Sequence, residues 1–295
     1  MNRIQLCAAL LAATALVQAG CDKKPVGSAP AAAGKASMKI GAAYGEQLAN
    51  LPNFNGEWQF TKGLMFDPDH VVNPPDPAGE DGGFSYGPQG GAHLTGIPYN
   101  AKYQKIYDDT VAKAAKGIIT DPVGDCMAPH GMPREMGGAP GPIEITMAPG
   151  QMWMIWDWFN ATRRIYFDGR PHPGGDDLWP TPMAHSIAKW EGDTLLIDTI
   201  GFMPGIFDRT GAPHSDKLHM SERMRLVDPD TIEVQMTFED PEAFTAPWKV
   251  TRTLKRRPKD LLALMGSYCE GGNRNGIVNG SQSAVLETDT VPGVK

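Results

Sequence analysis

Glu222 is the ionisable residue whose setting says most, because within His219 to Val227 it alternates in step with Met220, Met224 and Leu226. A carboxylate on an apolar strand face loses hydration, which raises its pKa toward the range of a general acid or base unless a cation pairs with it. Arg223 and Arg225 point to the opposite face, so any partner must come from another strand. Glu222 is therefore either a proton-transfer group or half of a buried ion pair. A second constellation lies between Trp153 and Asp168. With Asn160 and Ala161 as a two-residue turn, Phe159/Thr162, Asp157/Arg164, Ile155/Tyr166 and Trp153/Asp168 are opposite pairs on one face. Met154/Phe167, Trp156/Ile165 and Trp158/Arg163 then share the other, mainly apolar face. The first face mixes aromatics with two carboxylates and an arginine, which suits either a ligand-orienting barrel mouth or a half-exposed cross-strand salt bridge. Buried polar groups are costly unless they meet, so Arg164, Asp168, His172, His185 and Glu222 are expected around one concavity, with Trp153 and Tyr166 nearby. There Glu222, His185 and Asp168 would handle protons, while Trp153, Arg164, Tyr166 and His172 would hold the ligand.

Other chemistries find less support. His214, Asp216 and His219 are close in sequence, but their spacing matches no metal motif and no metal is expected. Ser215 beside His214 and Asp216 is sequence adjacency rather than a triad, and no Gly-x-Ser-x-Gly occurs. There is no Gly-x-Gly-x-x-Gly and no phosphate loop, so neither a nucleotide nor any other cofactor is expected.

The elements that must position these residues are short strands. Met152 to Phe159 and Thr162 to Asp168 are rich in aromatic and aliphatic residues. Ser186 to Trp190 runs through the turn Glu191-Gly192-Asp193 into Thr194 to Phe202. His219 to Val227 and Thr231 to Glu239 flank Asp228-Pro229-Asp230, and Ile232, Val234, Met236 and Phe238 alternate with polar residues as in a strand with one buried face. Trp248 to Lys255 is a further strand. Successive hairpins without intervening helices imply an all-β antiparallel meander, which avoids exposed edges by closing into a barrel. Asn100 is placed to cap one helix, over 101–116. The 34 Gly and 26 Pro make up about a fifth of the 295 residues, against a usual share of roughly 12%, and this excess favours turns between strands over a helical bundle. The formal net charge of −7 makes nucleic acid an unsuitable partner.

The N-terminus has the form of a secretory signal over 1–20: Met-Asn-Arg, an apolar run from Leu6 to Val17, then small residues. Residues 21–50, rich in Ala, Gly, Lys and Pro, form a flexible tether. A single barrel domain is expected over 51–275, with long N-terminal loops, and a loose tail over 276–295. With Cys21 taken by a lipid, Cys126 and Cys269 remain as an even pair in an oxidising compartment, where a disulfide is expected.

Ala19-Gly20-Cys21 resembles the bacterial lipobox, in which the cysteine is acylated and becomes the mature N-terminus. Three longer segments resemble a large group of exported bacterial proteins without an established activity: Arg164 to Pro173 (RIYFDGRPHP), Ser186 to Leu195 (SIAKWEGDTL) and Gly211 to Ser215 (GAPHS). Gly131-Met132-Pro133-Arg134, Glu239-Asp240-Pro241 and Cys269-Glu270 fit the same pattern, which spans Cys126 to Asn275. Members of that group often carry Tyr where this chain has His185. Phe54-x-Gly-x-Trp58 and the hairpin around Glu191-Gly192-Asp193 resemble lipocalin-like barrels, which implies a hollow for a small apolar ligand. The expected function is a periplasmic protein, lipid-anchored at the inner membrane, that binds a small, largely apolar molecule. The alternatives are an acid/base enzyme on the same barrel (hydratase, lyase or isomerase) and an envelope interaction module without a pocket.

Overall fold

The computed structural model describes residues 45–62, 66–72, 93–116, 131–137 and 141–257, with the backbone of Ile277–Val278 and Ser281–Gln282. Cys21, Cys126, Cys269 and the signal segment lie outside the described residues, and the lipid and disulfide expectations with them. A helical turn at 45–48 ends the stretch expected to be a tether, and the two-residue ladder of Ile277–Val278 with Ser281–Gln282 falls in the expected tail.

Nine strands close a barrel. In chain order they are β1 (Gly56–Phe60), β2 (Ile143–Ala148), β3 (Gln151–Trp156), β4 (Thr162–Tyr166), β5 (His185–Glu191), β6 (Thr194–Ile200), β7 (His219–Asp228), β8 (Thr231–Glu239) and β9 (Trp248–Arg256). Each pairs with its sequence neighbour, and β9 returns to β1 through Trp58↔Arg256 and Phe60↔Leu254. The all-β barrel expected from the hairpins is present, with one exception to the antiparallel meander: β4 and β5 are parallel. Direction cannot alternate all the way round an odd-numbered ring, so at least one parallel contact is unavoidable. Here the seam is narrow, with Ile165 opposite Ser186 and Tyr166 opposite Ile187. Joining parallel strands requires a crossover, and residues 167–184 run outside the barrel to make it.

The β3–β4 hairpin also differs from the expected one. β3 ends at Trp156, and a 3-10 turn at Trp158–Asn160, with Phe159 and Asn160 at positive φ, replaces the two-residue turn. Trp153 therefore faces Arg164, and Tyr166 faces Gln151. The slip relative to the expected register is an even number of residues, so the side chains that remain in β3 and β4 keep their expected faces, whereas Asp157, Trp158 and Phe159 leave the ladder.

The inward positions form the core. Met152, Met154, Trp156, Met220, Met224, Ile232, Val234 and Leu254 all have 0% exposure, which leaves no water-sized hollow against them. Among the described residues, packed side chains take these inward positions, where the lipocalin likeness implies an interior pocket. One end of the barrel is plugged by rings: Phe66, Phe207, Phe238 and Trp248 pack with centroids 4.9 to 5.5 Å apart for the pairs Phe207–Trp248, Phe66–Phe207, Phe66–Phe238 and Phe238–Trp248. The expected helix is α1 (Ala101–Ala114), and Asn100 Oδ1 accepts from the Tyr103 N–H at 3.1 Å. Tyr107 of α1 donates from its hydroxyl to Thr210 Oγ1 at 2.9 Å, tying the helix to the loop between β6 and β7.

Inside the wall, Arg163 of β4 forms a bidentate pair with Glu222 of β7, its Nη1 donating to Oε1 at 3.0 Å and its Nη2 to Oε2. Nε donates to Ser186 Oγ at 3.1 Å on β5, and Nη2 also donates to Thr199 Oγ1 at 2.9 Å on β6. Both charged side chains are fully buried. Small residues at 186 and 199 leave room for the guanidinium to reach β7 beneath the narrow seam. Glu222 is thus the ion-pair half of the two alternatives, with the required partner supplied by another strand. Breaking one side of such a pair strands a buried charge, so Glu222→Gln should lower stability by about 3 kcal/mol or more in urea unfolding. The double replacement Arg163→Met with Glu222→Leu should cost clearly less than the sum of the two single changes; additive losses would show that the pair is uncoupled.

Candidate functional site

The outer face of β5 to β9 carries two rows of side chains in register. One runs Ile187, Asp198, Ser221, Thr237, Lys249, and the next Lys189, Leu196, Arg223, Gln235, Thr251. Period-2 alternation puts them there, since Ala188, Ile197, Glu222, Met236 and Val250 occupy the intervening inward positions. A groove of about 770 Å³ lies over these rows, with Gly169 and Arg170 of the crossover along its side. That size suits a small organic molecule. Ile187 and Leu196 are its apolar contacts from the outward rows. Arg170 is held in place, with Nε 2.9 Å from Asp168 Oδ1, Nη2 2.5 Å from Oδ2 and its guanidinium 3.8 Å above the Tyr166 ring. The hydrogen bond from Arg170 holds the Asp168 carboxyl below the usual carboxylate range. Among the described residues, Arg223 makes one ion-pair contact, an exposed one with Glu191 at 3.4 Å.

At the end of the groove nearest the crossover, Asp198 enters an array of imidazoles. Its Oδ2 is 2.9 Å from His172 Nε2 and its Oδ1 is 2.5 Å from His219 Nε2. His172 Nδ1 lies 2.8 Å from His185 Nδ1, and His219 Nδ1 lies 3.3 Å from Glu239 Oε2. Half-burial opposes ionisation of Asp198, but hydrogen bonds from His219 and His172 outweigh it and hold the carboxyl below its ordinary value. An ionised Asp198 only accepts, so His172 carries hydrogen on Nε2. The contact between His172 Nδ1 and His185 Nδ1 needs one ring nitrogen to donate and the other to accept, so a single hydrogen lies between the two imidazoles. Burial, then His172 and Arg170, lower the pKa of His185, keeping it uncharged near neutrality. The arrangement can relay a proton: one taken up at the far nitrogen of His185 is matched by the shift of the shared hydrogen onto His172, whose positive charge the Asp198 carboxylate stabilises.

The expected site residues separate across the wall. Glu222 is inside, whereas Arg164 is outside, its Nη1 3.3 Å from Tyr166 Oη and its guanidinium 5.9 Å from the Trp153 ring. The single concavity expected to join them does not form, because inward and outward positions of a strand cannot share a chamber. The mixed face is the half-exposed one of the two alternatives. His172 and His185 do meet, Tyr166 stacks on His185 at 5.7 Å, and Asp168 reaches the same region through Arg170. The compact sequence group disperses. His214 is buried, with Nδ1 3.0 Å from the Ser215 carbonyl and a pKa pushed down to about 4 by burial. Asp216 pairs with Lys217 at 3.0 Å, and only His219 joins the array. Among the described residues, no group of three or more His, Cys, Asp or Glu is arranged to hold a metal.

Asp198 was legible as an outward residue, since it alternates with Leu195, Ile197 and Thr199, but its partners come from β7 and the crossover. Glu135 had no signal, lying in a turn without periodicity. Burial pushes its carboxyl up to about 8, so it is protonated at neutral pH.

No protein-family model matches the chain, and no curated protein matches it significantly.

His172 is a side-chain tie between the middle of the crossover and the barrel wall, in addition to the backbone bonds from Phe167 N–H to the Gly150 carbonyl at 2.7 Å and from Thr181 N–H to the Gly201 carbonyl at 3.1 Å. Replacing it, or its acceptor (His172→Gln, Asp198→Asn), should speed Asp-N cleavage at Asp176 and Asp177 severalfold, with little loss of barrel stability. Unchanged cleavage would mean that other contacts, such as Met132 N–H to the Pro182 carbonyl at 2.8 Å, hold the loop alone.

Proposed function

We propose that this chain is an exported, lipid-anchored β-barrel protein that binds a small, largely apolar molecule in the groove on its outer face. The observation that carries the reading is the groove itself: about 770 Å³ across the outer face of β5 to β9, on a wall whose inward side chains among the described residues are buried. Ile187 and Leu196 would take the apolar body of the ligand, and the surrounding polar groups would orient it. Export and anchoring rest on the N-terminal sequence, with its apolar run and Ala19-Gly20-Cys21, and on the resemblance to exported bacterial proteins, a group to which we assign the chain. Acid/base chemistry at the same groove is the second reading, because Asp198 belongs both to the groove lining and to the imidazole array.

Two measurements test the proposal. Labelled palmitate should enter the wild type and not Cys21→Ser, and equal membrane partitioning of the two would remove the anchor from the reading. For the groove, the fluorescence of 8-anilinonaphthalene-1-sulfonate should report binding to the purified full chain. Leu196→Trp, which fills the groove from its floor, should weaken that binding by about tenfold or more, equivalent to ~1.4 kcal/mol. Undiminished affinity in a folded Leu196→Trp protein would place the binding elsewhere.

A further inference from the structure

The groove is positive on a chain whose formal net charge is −7. Its lining includes Arg170, Lys189, Arg223 and Lys249 against one outward carboxylate, Asp198. These cations are not equivalent. Arg170 is neutralised by Asp168, whereas Lys189 and Lys249 make no ion pair among the described residues, and Arg223 touches Glu191 only at 3.4 Å in the open. Exposed pairs of that kind hold weakly and give way to a better-placed anion.

The register arranges these charges around the apolar floor. Leu196 lies directly between Lys189 on β5 and Arg223 on β7. Neighbouring strands are roughly 4.8 Å apart, so the two flanking backbones are about 10 Å apart, within reach of long side chains closing on one group above Leu196. One row away, Ile187 continues the apolar surface and Asp198 sits beside it. The groove is thus polarised, with Lys189 and the weakly paired Arg223 around Leu196 and a carboxylate fixed by two imidazoles at the other side.

Resting on the groove-binding reading above, we propose that the ligand is a small amphiphilic organic acid. Its carboxylate, sulfonate or phosphate sits between Lys189 and Arg223 over Leu196. Its apolar body lies along Ile187, and its uncharged end points to Asp198, which repels the acid and so sets the direction of binding. Lys249 adds to the positive field from the far side and brings anions in.

A matched pair of dyes tests this on the purified full chain. 8-Anilinonaphthalene-1-sulfonate and N-phenyl-1-naphthylamine share a ring system and differ in the sulfonate. The sulfonated dye should bind about tenfold more tightly or better, and Lys189→Gln with Arg223→Gln should bring its affinity down to that of the neutral dye. Leu196→Trp should weaken both. Equal affinities for the two dyes, or a sulfonate preference that survives the double replacement, would overturn the acid proposal and leave the groove reading standing. Loss of the Leu196→Trp effect for both dyes would instead defeat the groove reading itself. Vesicles of anionic phospholipid that bind the chain and displace the sulfonated dye would assign the cations to a membrane surface, which also overturns the proposal.

Discussion

The Arg163–Glu222 pair matters because of where the barrel is weakest. Nine strands cannot all run antiparallel to both neighbours in a closed ring, so a parallel contact is built into the count. In this chain that contact is the narrow β4–β5 seam, where the ladder contributes little. Arg163 leaves β4 just beside the seam and reaches beneath it, bonding to Ser186, Thr199 and Glu222 on three successive strands. A buried ion pair is a poor source of net stability, since desolvation offsets most of its attraction. Its value here is directional: the charged fork is satisfied only when β4, β5, β6 and β7 are in register, and a slip would leave a buried charge without partners. Only a fully connected set is tolerable in such a core, and Ser186 Oγ to Thr199 Oγ1 at 3.0 Å closes the connection.

The same parallel contact produces the outer site. A hairpin turn could have joined antiparallel strands in a few residues, but the crossover must travel outside the barrel, and on its way it brings Gly169 and Arg170 to the groove and His172 to Asp198. Without that detour the outer face of β5 to β9 would lack the groove wall that the crossover supplies. Closure of the ring, the long loop and the candidate site are in this sense one structural fact seen at three places.

How much of this was legible in the sequence depends on the range of each interaction. Local signals served well: Asn100 capped a helix, turn residues marked the hairpins, and alternation placed Glu222 among Met220 and Met224. The β3–β4 register was lost because Phe159 and Asn160 take positive φ in a 3-10 turn, which nothing in their residue types demanded. Face membership survived, yet which face was inside did not follow from it, because both carried aromatic and charged residues. Arg163 sat on the mainly apolar face without revealing that Glu222 was its partner, since 59 positions separate them. Non-local meetings also join two of the segments that carry the resemblance to exported proteins. Ser215 of Gly211 to Ser215 donates from its N–H and its hydroxyl to Asp240 at 2.7 Å each, joining that segment to Glu239-Asp240-Pro241.

The inner staple and the outer array are separated by the thickness of one strand and share its backbone. On β5 the outward His185 is followed by the inward Ser186, and on β6 the outward Asp198 by the inward Thr199. Arg163 therefore fixes the hydroxyls at 186 and 199 from within, while His172 fixes the imidazole at 185 and the carboxylate at 198 from without. Hydrogen bonds lose strength steeply with misalignment, so an array that depends on distances of 2.5 to 2.9 Å between β6, β7 and the crossover needs a rigid wall behind it. The buried ion pair supplies that rigidity at the seam, where the sheet alone could not. This accounts for the otherwise unfavourable burial of a carboxylate and a guanidinium in a methionine-rich core: the charge inside the barrel holds still the charges outside it.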